Sequence, residues 1–465
     1  MQLGDTSEGR EQEMKSSQDT YEDVLIMWRN NLGDLSKGAF KHSPYLTHLN
    51  LQGCRIHSVR EGAFRGLSRL VQLDLTHNNI DILYQESFDG LSSVKQLYLD
   101  RNRIEEINPG AFASLSSLNL LSLTHNQLVY LPNMVFQSDA RHATCEERGH
   151  TKVLTGFPGT ILLLNMRGNH FHYLPGNSFP NVPKVVSLHL DGCKIHDIEG
   201  GAFQGMKVLI YLYLSDNQLA SLDTNVFAGA HNIMYLHLEG NRLSQFPSSE
   251  MLAHIPKLGK LSQTFTLIVK LEPVGLLNPI PQLTGLYLAN NTITNIVPRA
   301  LDSAPYLDVL HLGDNKLTEV PSDALGEAPL LTEVSLSGNL IRWIGPRAFR
   351  GVATGLKHLY LDRMGLQKMS AKSLAWFGPS LVSLSLEENQ LEELPDLSSL
   401  TRLQHLTLGN NPLMCDCKLL PFYRWLSNAS LKVEAVCGYP SELRGQSVIK
   451  ADVLINCSGE NNVIQ

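Results

Sequence analysis

Four cysteines near one end of the chain carry the clearest chemistry. Cys415, Cys417, Cys437 and Cys457 form a CxC followed by two gaps of about twenty residues. Thiols clustered in this way can pair as disulfides or hold a zinc ion. Zinc sites usually use CxxC knuckles, and CxC is tighter, so disulfides are the expected chemistry. They imply an oxidising compartment. Four cysteines leave three pairings open.

Tyrosines and histidines form a second set. His189, Tyr213, His237, Tyr287, His311 and Tyr360 stand at the same point of a repeating string, with Tyr211, Tyr235 and His358 beside it. Each presents a flat apolar body and a polar tip. Such side chains can stack on prolines and bond the carbonyls of an extended partner. Metal ligation by this set fails on distance. His189 and His237 fall two strands apart, about 9.6 Å, whereas zinc holds its nitrogens at about 2 Å. No metal or cofactor site is expected. The acidic run Glu387, Glu388, Glu392, Glu393 and Asp396 reads as a solvated surface, with contact to basic segments or loose calcium binding as the functional alternative. It lacks an EF-hand pattern. No GxSxG, HExxH, P-loop or GxGxxG falls on a suitable strand and helix. No catalytic residues are expected, and the chain is not expected to be an enzyme.

These residues need elements to place them. The string LxxLxLxx(N/C)x(L/I) starts at Val185 and again at Leu209, one period of 24 residues later. Copies start at Glu22, Leu46, Leu70, Val94, Leu118, Ile161, Val185, Leu209, Ile233, Leu258, Leu283, Leu307, Leu331, Leu356, Leu381 and Leu403. The alternation in LxLx predicts a short strand with inward leucines. The Asn that follows turns the chain, and its amide can bond neighbouring coils as a ladder. Cys54 and Cys193 replace it in two units as buried substitutes. A bulky residue follows about eight positions later, often in a (G)AF string: Phe40, Phe64, Phe88, Phe112, Phe136, Phe179, Phe203, Phe227 and Phe349. These predict a stacked spine. No unit can bury its apolar face alone, so neighbours supply the stability. The expected fold class is α/β: a curved solenoid, or horseshoe, with a parallel concave sheet. Sixteen strands at about 4.8 Å give an inner arc of about 75 Å, long enough to follow a rod-like ligand.

The expected organisation follows from the pattern. Residues 1–21 are polar without period and are expected to be disordered. A first array spans 22–140 and a second 161–410, followed by a cysteine-rich cap at 411–457 and a tail at 458–465. Between the arrays lie 43 residues from Leu118 to Ile161, including a polar stretch with a lone Cys145. Residues 141–160 are expected to be a junction. Their VLTGFPGT, running into ILLLN, resembles the tail of an N-terminal cap, which predicts two arrays joined head to tail. A loop inserted in one continuous solenoid is the alternative. The unit from Leu258 is degenerate, with Gln263 and Thr266 where Leu and Asn are expected. Its length is kept, which predicts an irregular coil.

Composition bounds the rest. A chain of 465 residues would ordinarily suggest about three domains, but repeats grow without adding them. Apolar residues at 43% can bury a core. A net charge of -7 gives no reason to expect nucleic-acid binding. No run of about 18 apolar residues exists, so no membrane insertion is expected. The first residues lack the apolar stretch of a signal peptide, which conflicts with the cysteines. The expectation is a chain incomplete at its start. Asn290, Asn428 and Asn456 open glycosylation sequons, compatible with secretion.

The strings SLHLDGCKIHDIEGGAFQGMKVLIYLYLSDNQL and CDCKLLPFYRWLSNASLKVEAVC resemble the chondroadherin family, leucine-rich-repeat proteins of cartilage matrix. The likeness runs over about residues 22–457. It implies a disulfide-bonded C-terminal cap with Cys415 paired to Cys437 and Cys417 to Cys457. The helix LLPFYRWL would lay Phe422, Trp425 and Leu426 over the last coil. The resemblance also implies a secreted extracellular-matrix protein that binds collagen and modulates fibril assembly or cartilage cell differentiation, with cell-surface receptors such as integrins as further partners. Three departures stand out: no cysteines of a first N-terminal cap, a single Cys145 at the join, and an end, SGENNVIQ, without a basic tail. Two other readings remain: the ectodomain of a cell-surface adhesion or signalling receptor, and an intracellular scaffold.

Overall fold

The computed structural model describes residues 23–128, 141–147, 149–301, 303–326, 328–429, 431–451, 454 and 457. The expectations for residues 1–21, Phe136, Asn456 and 458–465 lie outside the described residues. The chain forms two compact units. The first runs to Gln218 and takes in Leu222–Ile233; the second comprises Leu219–Ser221 and the chain from Met234.

In the first unit nine parallel strands pair in chain order: Asp23–Ile26, Leu46–Asn50, Gln72–Asp74, Gln96–Tyr98, Leu120–Ser122, His142–Thr144, Leu163–Asn165, Ser187–His189 and Tyr211–Tyr213. In the second unit eight do so: Tyr235–His237, Lys260–Ser262, Gly285–Tyr287, Val309–His311, Glu333–Ser335, His358–Tyr360, Ser383–Ser385 and His405–Thr407. Equivalent positions pair with each other, as Leu188 with Leu212 and Leu310 with Val334. In each of these three-residue strands the middle residue is buried, as is Leu49 in Leu46–Asn50, and most of the residues beside it face the opposite, solvent side.

The asparagines hold successive coils together. Asn217 Nδ2 donates to the carbonyls of Leu190 and Leu214, both at 2.9 Å, while its Oδ1 accepts from Ile195 N–H at 3.0 Å. Asn78, Asn102, Asn126 and Asn315 repeat the arrangement. Each thus satisfies backbone groups that the turn would otherwise bury unpaired. Cys54 and Cys193 stand in for it, their thiols donating to the carbonyls of Met27 at 2.8 Å and Met166 at 3.1 Å. Burial pushes the Cys193 thiol up to about 12, which leaves it inert as a nucleophile. Asn30 differs: it is exposed, and its amide donates within its own coil to Met27.

Phenylalanines stack behind the sheets. Phe40, Phe64, Phe88 and Phe112 lie at successive centroid distances of 5.8, 6.2 and 5.6 Å, and Phe179, Phe203 and Phe227 at 5.9 and 6.4 Å. Helix is scarce among the described residues: Ser249–Leu252, Ser322–Leu325 and Leu420–Asn428, the rest of each coil being turns, short second strands and a few 3-10 turns. No helix there is long and apolar enough to cross a membrane.

One strand was not expected. The count of sixteen omits His142–Thr144, which pairs on both sides within the stretch read as a break. Ala143 and Cys145 take its inward places, where they are buried. Residues so small give no leucine signal, and a coil shortened to 22 residues does not keep the 24-residue period. The coil from Leu258 also keeps its strand, Lys260–Ser262, paired on both sides. Its irregularity lies inside, where Gln263 is fully buried and Thr266 turns its hydroxyl to Asn291.

At the C-terminal end Cys415 is bonded to Cys437 and Cys417 to Cys457. The helix Leu420–Asn428 buries Phe422 and Leu426, with Trp425 stacked on Phe422 at 6.0 Å.

Candidate functional site: the solvent face of the sheets

In the first unit, His189 and Tyr213 stand at paired positions of adjacent strands, and their rings stack at 4.2 Å. Tyr211 lies two residues from Tyr213 on the same face. Beside them is a shallow depression of about 380 Å3, mostly apolar, lined by His142, Leu162, Leu163, Val186, Ser187, Tyr211 and Tyr213. Leu162, Leu163 and Val186 are half-buried here, lying between the buried Ile161 and Leu164 and between the buried Val185 and Leu188. Sequence reasoning missed this floor, since it scored only rings. Applied to the first coils, the same register rule would have found Tyr98, which is half-buried on the same side. Burial and the carboxylates of Asp74 and Asp100 raise its hydroxyl above the usual phenol range.

Polar groups line up along the strand Ser187–His189. Ser187 Oγ is 3.0 Å from His189 Nε2, and His189 Nδ1 is 3.9 Å from Asp191 Oδ2. The second distance is too long for the hydrogen bond that orients a catalytic imidazole. Burial raises the Asp191 carboxyl above its ordinary range, against the hydrogen bond it accepts from Ser215 N–H.

In the second unit the rings are spaced more widely. Lys260–Ser262 separates Tyr235 and His237 from Tyr287, and Glu333–Ser335 separates His311 from His358 and Tyr360. The Lys260 ammonium lies 6.0 Å over the Tyr235 ring. Tyr287 meets His311 edge to face at 5.1 Å. His311 Nε2 is 2.8 Å from Glu333 Oε1, and His237 Nδ1 is 3.0 Å from Glu239 Oε1. Burial alone would raise the Glu239 carboxyl; hydrogen bonding and charge from His237, with other hydrogen bonds, take it below its ordinary range. The stripe is therefore not a plain aromatic row but rings interleaved with serines and paired carboxylates.

Asn428 is exposed at the end of its helix, and Asn290 is half-buried in a left-handed turn. In the acidic run, Glu393 pairs with Lys418 at 3.2 Å. Among the described residues no group of three or more His, Cys, Asp or Glu side chains is placed to hold a metal.

Comparison with known proteins places these coils. The chain is 40% identical over 112 residues to human chondroadherin-like protein and 35% over 110 residues to rat chondroadherin. Each match covers 24% of this chain, and respectively 15% and 30% of the relative. Among solved structures, the Toll–Spatzle complex of Drosophila aligns with a TM-score of 0.66 at 21% identity, over 92% of this chain and 56% of that one. A leucine-rich-repeat protein of Leptospira interrogans aligns with a TM-score of 0.56 at 23% identity, over 86% and 88%. At these identities the likeness is one of fold. The family model described as leucine rich repeat matches in overlapping copies within 23–138 and 281–363 and once at 183–243, more than half of the sequence. With the asparagine ladders and inward leucines that define such coils, the chain belongs to the leucine-rich-repeat family.

Proposed function

We propose that this is an extracellular-matrix leucine-rich-repeat protein that binds collagen through the solvent face of its sheets. The observation that carries the reading is the His189–Tyr213 stack beside an apolar depression. Flat rings over apolar floor suit the prolyl rings of an extended chain, which docks with little conformational entropy left to lose. The Tyr287–His311 pair, edge to face, adds ring surface on the strands of the other unit. Similarity to chondroadherin and chondroadherin-like protein supports the matrix setting. The two disulfides support an oxidising compartment and weigh against an intracellular scaffold. Modulation of fibril assembly or cartilage cell differentiation, and contact with cell-surface receptors such as integrins, belong to the same proposal.

The test is the triple substitution Tyr213→Ala, His237→Ala and Tyr287→Ala. Binding to fibrillar collagen and to a triple-helical Gly-Pro-Pro peptide is read by surface plasmon resonance, with circular dichroism as the folding check. Binding is expected to weaken while the fold persists. Unchanged binding by the folded variant rejects the sheet face as the contact surface.

A further inference from the structure

His172 and His196 lie one period apart, at the turn into the short strands Tyr173–Leu174 and Asp197–Ile198, which pair with each other. Their spacing is set by backbone: His196 N–H donates to the His172 carbonyl at 2.8 Å. Both side chains are exposed. The rings are stacked at 5.2 Å, and His172 Nδ1 is 3.3 Å from His196 Nε2.

Two imidazole nitrogens bound to one tetrahedral zinc at about 2.0–2.1 Å stand about 3.3 Å apart. The nitrogens of His172 and His196 already have that separation. We propose that this pair is a surface site for a divalent transition cation of the zinc class. In the metal-free pair one ring donates its N–H to the other. On binding, that proton moves to the outer nitrogen of its own ring, freeing a lone pair, so two neutral imidazoles ligate with no net proton change. No third side chain completes a metal-holding cluster among the described residues, so water fills the other positions and the cation exchanges readily. The bound cation clips two successive coils together.

Zinc chloride, and in a second series copper chloride, is titrated by calorimetry into the metal-stripped full chain, with thermal unfolding in parallel. The variants are His172→Asn, chosen because asparagine tolerates the left-handed φ of 61° at this position, and His196→Ala. His42→Ala with His57→Ala is the control. One binding event and a rise in melting temperature are expected. Each pair variant should lower affinity at least tenfold and abolish the rise, and the control should keep both. No binding at millimolar cation, or equal binding by the pair variants, overturns the site.

Discussion

Tyr213 lies flat on His189, their ring centroids 4.2 Å apart and their planes 12° from parallel, although they belong to different coils. Parallel pairing in register brings equivalent residues of successive coils to about 4.8 Å, within reach of ring contact once the rings lean together. A choice made at one position of one coil is therefore felt at the same position of the next. Replacing both residues with alanine, singly and together, should reveal a coupling of about 0.5–1.5 kcal/mol in urea unfolding. Additive effects would mean that the stack adds nothing to the stability of the unit.

Gln263 is a liability that the structure makes explicit. It is fully buried at an inward leucine position, and among the described residues neither its Oε1 nor its Nε2 has a hydrogen-bond partner. A buried polar group left unpaired costs about 1–3 kcal/mol. Leucine is close in volume and standard at this place, as at Leu238 and Leu288 in the coils on either side. Gln263→Leu should raise stability by about that amount in urea unfolding. A lower midpoint would show that the amide is satisfied in solution, for instance by water.

The repeat made most of this fold legible, and its failures share a cause. Leu188, Asn217 and Phe203 announce their places because few kinds of side chain serve each: an inward aliphatic, a bifurcating amide or its thiol substitute, a ring in a stack. Ala143 and Cys145 fill inward places too, yet their small side chains leave no leucine signal, and the strand His142–Thr144 went unseen. The solvent face was legible only in part. Position located Tyr213 and His189, but their stacking, the depression beside Leu163 and the contact of His311 with Glu333 depend on neighbouring coils. A single period does not encode such contacts. His172 and His196 lie outside the main-sheet strands, and one-period spacing brings residues together at every point of the coil.

The cap offers a check on covalent structure. Cys417 and Cys457 close a loop with a sequence separation of 40. Removing a native disulfide typically costs about 2–5 kcal/mol. Cys417→Ser should lower the melting temperature, leave a free thiol at Cys457 and keep the Cys415–Cys437 linkage in peptide mass spectrometry. A linkage between Cys415 and Cys457 in the unsubstituted protein would refute the pairing outright.

Two carboxylates on the solvent face should respond to pH with opposite signs. Burial raises Asp191 above its ordinary range, so its charge weighs against folding at neutral pH, and that weight lifts as the pH falls through its folded pKa. For Glu239 burial is outweighed by hydrogen bonding and charge from His237, with other hydrogen bonds, and its folded pKa lies below the unfolded one. Its contribution is complete above the unfolded pKa and is lost as the pH falls through the folded value. Amides keep the acceptor oxygen in each case, toward Ser215 N–H and toward His237. Asp191→Asn should therefore raise the melting temperature at neutral pH, and Glu239→Gln should lower it. Both differences should fade toward about pH 3, where free carboxyls are protonated. Shifts of the same sign at neutral pH would contradict the opposing environments of the two groups.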